Sequence, residues 1–326
     1  FIRAIVKTAE NNGIDCYGFI DGYRGLLENN YVQLCTSATG NAIGILPKGG
    51  SIIGSSTNSN VFCYPVEENG ETVYKDLSDK CVENIKNDGI DCLFTLGGDG
   101  TQKSARDLSL KGINVIGVPK TIDNDVACTE ITFGYNTAVA VAAEALDRLH
   151  TTADTHHRIM VLEVMGRYAG WIALESAIAG GADVALIPEI PYDIKVVAKK
   201  IKENQKTGKE YTIIACAEGA ISEEDSLLSK KKYKAKVASR QGRSVAYEVA
   251  EQLQELIPNE IRVALAGHIQ RGGNPCSYDR FMATRFGVYG AYLLLNKDFG
   301  KLVVFDKNEI KAIPLSETAG KLKFVD

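Results

Sequence analysis

Nowhere in the chain do two cysteines stand in a C-x-x-C spacing, although there are eight of them: Cys16, Cys35, Cys63, Cys81, Cys92, Cys128, Cys216 and Cys276. The missing spacing speaks against a zinc site, and scattered cysteines in a chain of 326 residues read as reduced core thiols of a cytoplasmic protein. Positive charge is not in excess either: 37 Lys and Arg against 41 Asp and Glu leave a net charge of −4. Nucleic acid and anionic membrane are therefore not expected as partners, although a local basic pocket for a small anion stays open. Long apolar runs are absent. The two charge-free windows, Asn29–Pro47 and Gly49–Val66, are full of Asn, Ser, Thr and Gly, so neither reads as a membrane span. No basic-then-apolar leader opens the chain, and there is no repeat or low-complexity tract. The single tryptophan, Trp171, is most simply core packing.

What is present is ordinary globular composition, 45% hydrophobic and 24% charged, in a chain long enough for two cores. Phe1 is not a methionine, and Phe1–Asn12 reads as a helix with Ile2, Ile5, Val6 and Ala9 on one face, so the natural chain is expected to begin upstream. Beyond it, short apolar runs alternate with amphipathic stretches. Strands are expected at Leu93–Leu96, Asn114–Val118, Ile159–Val164, Val184–Ile187, Tyr211–Ala217 and Ile261–Ala266. Helices are expected at Gln102–Leu110, Asn136–His150, Ala169–Ala179, Ile194–Gln205, Ser239–Ile257 and Tyr278–Leu295. The alternation implies βαβ units, mostly parallel sheets and helices on both faces. The charged segment Ser222–Lys236 reads as a solvated connector.

Ligands of open α/β sheets bind outside the carboxyl ends of the strands, and six strand ends here carry glycine, carboxylate or cation. These are Gly97–Thr101, Pro119–Asp125, Met165–Arg167, Pro188–Glu189, Glu218–Gly219 and Gly267–Gly273. Gly97, Gly98 and Gly100 let a backbone approach phosphate, and Thr101 opens a helix whose N–H groups face an anion. Asp99 suits such a site only with Mg²⁺ between carboxylate and phosphate; alternatively it caps the helix. Asp123 and Asp125 can divide labour as base and supporting carboxylate for a hydroxyl nucleophile, or form an Asx-rich turn. Arg158, Arg167, Arg262, Arg271 and His268 are candidate phosphate ligands, while His157 reads as surface polar. Glu218 suits sugar hydroxyls or a capping role. Two nucleotide motifs fail: Gly44–Gly50 lacks the lysine of a P-loop, and Lys103 stands where a dinucleotide fingerprint needs its third glycine.

In order and spacing, Gly97-Gly98-Asp99-Gly100-Thr101, Pro119–Asp125, Met165-Gly166-Arg167 and Gly267–Gly273 together resemble the 6-phosphofructokinase family, over nearly the whole chain. The Gly-Gly-Asp-Gly-Thr stretch alone is shared with NAD kinases and diacylglycerol kinases. Thr-Ile-Asp-Asn-Asp and Gly-His-Ile-Gln-Arg-Gly-Gly are far more specific. The resemblance implies two doubly wound α/β/α lobes with mostly parallel sheets: a phosphoryl-donor lobe of residues 1–134 plus 267–308, and a fructose 6-phosphate lobe of 135–266 plus 309–326. It implies transfer of a phosphoryl group from MgATP to the 1-hydroxyl of fructose 6-phosphate. In that assignment Asp123 is the general base, Asp125 supports it, Thr121 contacts the transferring group and Arg167 steadies its charge. Gly98, Gly100, Thr101 and Lys120 attend the donor, and Asp99 holds Mg²⁺. Met165, Gly166 and Glu218 hold the sugar; His268 and Arg271 grip its 6-phosphate, joined by Arg158 and Arg262 of a neighbouring subunit in a homo-oligomer, expected to be a tetramer.

Three departures accompany the resemblance. The family opens with a strand and a Gly-Gly-Asp-x-Pro-Gly-x-Asn turn that precedes the first residue here. Thr57 follows Ser55-Ser56 where bacterial ATP enzymes usually carry Arg. The effector positions of allosteric bacterial members are here Arg3, Lys7, Thr36, His150, Asp183 and Lys209, a pattern only partly kept. Competing readings are a pyrophosphate-dependent enzyme, which Lys120 favours, and a non-catalytic regulatory subunit, which the intact Asp123 and Arg167 oppose. A lipid or NAD kinase leaves the Asp123 loop and the His268 segment unexplained.

Overall fold

Every second residue of the central strands points to the same cluster of helices, and this alternation builds two separate α/β units. The computed structural model describes residues 1–239 and 242–326. One unit comprises residues 1–121, 126–134 and 273–322; the other comprises 122–125, 135–272 and 323–326.

In the first unit the sheet runs in the order Glu309–Pro314, Lys301–Asp306, Val115–Thr121, Leu93–Gly97, with the two-residue strand Phe133–Gly134 paired to Val115–Thr121. The inner pairings are parallel, and Glu309–Pro314 lies antiparallel to Lys301–Asp306. Leu302 and Val304 pack with Ala105 and Leu108 of the helix Asp99–Leu110. Val303 and Phe305 pack with Met282 and Phe286 of the helix Ser277–Leu295. Successive residues thus face opposite helices, as a strand buried on both faces demands. Two antiparallel hairpins complete the unit, Cys16–Phe19 with Tyr31–Leu34 and Tyr64–Glu68 with Glu71–Lys75. Asn69 and Gly70 join the second pair with φ of 53° and 82°. Two positive φ values mark the hairpin turn for which Asn-Gly is the preferred sequence.

The second unit holds a wholly parallel sheet in the order Ile261–Leu265, Ile159–Val164, Thr212–Ala217, Val184–Leu186. Met160, Leu162, Ile213 and Ala215 face the helices Tyr135–His156 and Trp171–Ala179. Ile159, Val161, Ile214 and Cys216 face the helices Ile194–Lys206 and Val245–Gln254. All six residues of Thr212–Ala217 are buried, and no polar alternation remains in that strand. Its thiol, Cys216, is pushed far above the ordinary cysteine range by burial.

Both units are doubly wound and of the expected α/β class, but three boundaries differ from expectation. Residues 309–322 fall with the first unit because Glu309–Pro314 pairs with Lys301–Asp306. Residues 267–272 fall with the second, where a short 3₁₀ helix, Gly267–Arg271, continues from Ile261–Leu265. The short stretch 122–125 also falls with the second. The single helix expected over Ser239–Ile257 is instead Val245–Gln254, capped by Ser244 whose hydroxyl accepts from the Ala246 N–H at 3.2 Å. A separate helix spans Lys230–Ser239, and Arg240 and Gln241 lie outside the described residues. The connector Ser222–Lys236 is not wholly solvated: Asp225 is buried and ion-paired to Lys236 at 2.6 Å. Among the described residues no helix is long and apolar enough to cross a membrane.

Candidate active site

In the first unit the glycine turn is tight because side chains leave it no room. A Cβ on Gly97 would stand 2.1 Å from the Thr101 hydroxyl oxygen, so glycine is required there. The helix begins at Asp99, three residues before the expected start. Asp99, Gly100 and Thr101 therefore form its first turn, whose N–H groups have no intrahelical acceptor and suit an anion. Gln102, buried beneath them, donates to the carbonyls of Gly97 at 3.0 Å and Val118 at 2.9 Å, locking the helix start to two strand ends. A Cβ on Gly98 would lie 3.5 Å from that of Thr121, so the turn and the end of Val115–Thr121 are neighbours. The Asp99 carboxylate accepts from the Gly320 N–H at 3.1 Å. Gly100 is exposed, with nothing within 4 Å of a Cβ built on it.

Asp123, Asn124 and Asp125 belong to the second unit and are 8%, 2% and 4% exposed. Asn124 has φ of 53°, so the loop carries a left-handed residue between its two carboxylates. The carbonyl of Asp125 accepts from the Lys323 N–H at 2.9 Å. Lys323 in turn offers its carbonyl to the Trp171 indole N–H at 3.0 Å, with its ammonium 5.0 Å from the ring centroid. Trp171 is thus more than packing. Val325 and Gly170 both donate to the Glu189 carboxylate, at 3.0 and 2.9 Å. Sequence named Glu189 as a strand-end residue and Trp171 as core packing, but not these contacts, since they rest on backbone groups far apart in the chain.

Strand register assembles the remaining turns of this unit. Val164 pairs with Ala217 and Glu163 with Leu265, so Met165 and Glu218 leave the sheet side by side and Ala266 leaves it one residue earlier. The Glu218 carboxylate accepts from the Arg167 N–H at 2.8 Å. A Cβ on Gly219 would meet the Arg167 carbonyl oxygen at 2.2 Å. Arg167 itself has φ of 58°, a left-handed conformation that costs a non-glycine residue about 1–2 kcal/mol. Its guanidinium lies 5.3 Å from the Tyr168 ring centroid and is exposed. The Arg271 Nε–H points at the Met165 sulfur at 3.4 Å, and His268 is exposed on the same 3₁₀ helix. The structure therefore brings Met165, Gly166, Arg167, Glu218, His268 and Arg271 to one end of the sheet.

Arg158 and Arg262 stand at the opposite end, the amino-terminal ends of paired strands. Arg262 is the second residue of its strand rather than a residue preceding it. Both arginines bond Glu260, Arg158 at 2.5 Å. The Arg158 hydrogen bond, with the charges of both arginines, holds the Glu260 carboxyl below the usual carboxylate range. Four of the effector-position residues are engaged internally. Thr36 bonds Glu10, His150 bonds the Gly180 carbonyl at 2.7 Å, and Asp183 holds Lys209 at 2.6 Å while also accepting from Asn204 and the Ile213 N–H.

The parallel sheets, the glycine turn at a helix start and the carboxylates and arginines on strand-end turns define a doubly wound α/β protein built to hold phosphorylated small molecules. A family model described as Phosphofructokinase matches residues 1–294. The chain belongs to that family. It is 50% identical over 328 residues to ATP-dependent 6-phosphofructokinase 2 of Clostridium perfringens, covering 100% of this chain and 89% of the relative. It is 45% identical over 325 residues to ATP-dependent 6-phosphofructokinase of Spirochaeta thermophila, covering 99% and 88%. Among solved structures, Pichia pastoris phosphofructokinase in the T-state superposes with a TM-score of 0.82 at 28% identity; the match covers 98% of this chain and 33% of that one. Pyrophosphate-dependent phosphofructokinase from Marinobacter aquaeolei shares the fold at a TM-score of 0.81 and 22% identity, covering 100% and 81%.

Gly219→Ala tests the packing of the two turns. The added methyl must displace a carbonyl oxygen, so unfolding free energy should fall by about 1–3 kcal/mol. Urea denaturation measures it, and an unchanged midpoint would show that the turns are free to separate.

Proposed function

We propose that this protein transfers the terminal phosphoryl group of ATP to the 1-hydroxyl of D-fructose 6-phosphate, giving fructose 1,6-bisphosphate and ADP, as a cytoplasmic glycolytic kinase. The observation that carries this reading is half-identity, over the full chain, to a relative named as an ATP-dependent 6-phosphofructokinase, with the Asp123 loop and the 268–271 segment intact. Asp123 takes the proton of the 1-hydroxyl as its oxygen attacks the γ-phosphorus, and the bond to the departing ADP oxygen breaks. Asp125 supports Asp123. Gly98, Gly100 and Thr101 cradle the donor phosphates with Lys120 beside them; Thr121 contacts the transferring group, and Arg167 steadies its charge. Met165, Gly166 and Glu218 hold the sugar, and His268 and Arg271 its 6-phosphate. Phosphoryl transfer asks little covalent chemistry of the protein, so positioned donors, cations and one base suffice.

The Asp99 carboxylate, a hard oxygen donor fixed by the Gly320 N–H, fits Mg²⁺. Mg²⁺ characteristically takes one or two carboxylates and completes its shell with phosphate oxygens and water. When bound there it would neutralise charge on the donor phosphates.

Three measurements test the reading. Asp123→Asn should lower turnover by about 10²–10⁴-fold with fructose 6-phosphate still bound. Steady-state kinetics with a binding titration decides it, and retention of more than about a tenth of turnover refutes the base assignment.

The donor is tested at Gly100. Space around a Cβ there is open, so Gly100→Asp should fold normally and place a carboxylate where the α-phosphate lies. Two unit charges 4 Å apart interact by about 4 kcal/mol at an effective dielectric of 20. The variant should lose ATP use. Faster turnover of the wild-type protein with pyrophosphate than with ATP, both saturating, would instead favour the alternative that Lys120 supports.

Arg158 and Arg262 sit at the end of the sheet opposite the other sugar-phosphate residues, so they serve a neighbouring subunit's site in a homo-oligomer, a tetramer of two-fold pairs. Mixed assemblies of Arg262→Ala and Asp123→Asn subunits should recover part of the activity that neither variant has alone. A fully active monomer by light scattering would exclude shared sites.

A further inference from the structure

Gln270 is 1% exposed, lies between His268 and Arg271, and uses both ends of its amide on other segments. Its Oε1 accepts from the Met165 N–H at 2.8 Å, and its Nε2 donates to the Ala138 carbonyl at 3.4 Å. Met165 begins the turn after Ile159–Val164, Ala138 lies in the first turns of the helix Tyr135–His156, and Gln270 belongs to the 3₁₀ helix after Ile261–Leu265. One buried side chain therefore joins three segments that come together only in the folded unit. The donor and acceptor are distinguishable, so the amide fixes the rotation of the 3₁₀ helix and not merely its proximity. Arg271, the next residue, reports the same alignment through its Nε–H to the Met165 sulfur at 3.4 Å.

We propose that Gln270 is a positioning residue: it sets the Met165–Arg167 turn, which holds the sugar, against the His268–Arg271 turn, which holds the 6-phosphate, and so fixes the separation at which one sugar phosphate can satisfy both. This rests on the functional reading above, which gives those two turns to one ligand. The alignment matters because neither turn is rigid alone. Gly267 has φ of 47° and Gly166 has φ of 138°, backbone conformations that the local chain does not enforce. Gln270 never touches the ligand in this scheme. Its loss should weaken fructose 6-phosphate and leave ATP, whose turns lie in the first unit, unaffected.

The test is Gln270→Met, which keeps the volume and removes both hydrogen bonds, with binding of each substrate titrated separately by calorimetry. The dissociation constant for fructose 6-phosphate should rise by about tenfold or more, the equivalent of about 1.4 kcal/mol, and that for ATP should stay within about twofold. Steady-state kinetics should show the same split, with the fructose 6-phosphate KM raised and the ATP KM unchanged. Should Gln270→Met fail to fold, Gln270→Asn carries the test, because it adds no charge but is one methylene too short to reach both Met165 and Ala138; a selective weakening of fructose 6-phosphate is again the supporting result. Equal loss for both substrates, or a folded variant that binds fructose 6-phosphate as the wild type does, overturns the proposal. If the wild-type protein itself does not bind fructose 6-phosphate, it is the functional reading that fails.

Discussion

Parallel register in the second unit's sheet is the constraint on which its proposed site depends. With Val164 opposite Ala217 and Glu163 opposite Leu265, three strands end within one residue of one another. A slip of one residue would turn every side chain to the other face and separate the turns. Burial prevents the slip. Ile159, Val161, Ile214 and Cys216 all belong to one cluster, and Met160, Leu162, Ile213 and Ala215 to the other. The hydrophobic effect thus fixes where Arg167, Glu218 and Arg271 emerge, although none of them contributes to it. Polar contacts then refine the alignment: Glu218 takes the Arg167 N–H, and Gln270 takes that of Met165.

The first unit solves the same problem with fewer parallel strands. Leu93–Gly97 ends opposite Pro119 of Val115–Thr121, and Gln102 binds the carbonyl of Gly97 from one strand and of Val118 from the other. In both units a buried amide joins separate segments through backbone groups. An amide is suited to this because it offers a donor and an acceptor without charge, so it can be buried where a carboxylate or ammonium would need a counter-ion. Gly117 shows the cost of that arrangement in sequence terms. A Cβ there would meet the Gln102 side-chain Oε1 at 2.3 Å and Leu315 Cδ2 at 2.9 Å, so any larger residue would push the amide and its neighbours aside.

Much of this was legible in the sequence. Apolar runs bounded by Gly or Asp located the strands at 93–97, 115–121, 159–164, 184–186, 212–217 and 261–265 within a few residues, because strands buried on both faces leave an unbroken apolar signature. The chemistry-bearing turns were found for the same reason, since they follow those runs. The hairpins were not. Glu71–Lys75 is exposed throughout and Tyr64–Glu68 only half-buried at Tyr64–Val66, so hydrophobic periodicity is weak there, although Asn69-Gly70 between them is a strong turn signal by itself. The joined pair Lys301–Asp306 and Glu309–Pro314 was missed with it, and that omission moved a domain boundary. Helix starts were misplaced where a glycine turn rather than a side-chain cap begins the helix, as at Asp99. The contacts of Glu189, Trp171 and Gln270 escaped because each acts on a backbone N–H or carbonyl that lies 19 to 152 residues away. No local pattern encodes such a pairing.

The two arginines at the far end of the sheet show how weak an interaction must be to be useful. Arg158 and Arg262 share Glu260, and Arg262 and Glu260 are largely open to solvent. Exposed ion pairs gain little, because water screens the attraction and ordering two long side chains costs entropy. Were this cluster buried, the arginines would be committed to Glu260 and surrendering it would leave a charge uncompensated. At the surface they are held in register by Ile159 opposite Ile261, yet can exchange a carboxylate for a phosphate, which offers more acceptor oxygens and greater charge to a bidentate guanidinium. Glu260 keeps both guanidinium groups side by side, and the Arg158 hydrogen bond with the two positive charges holds its carboxyl below the usual carboxylate range.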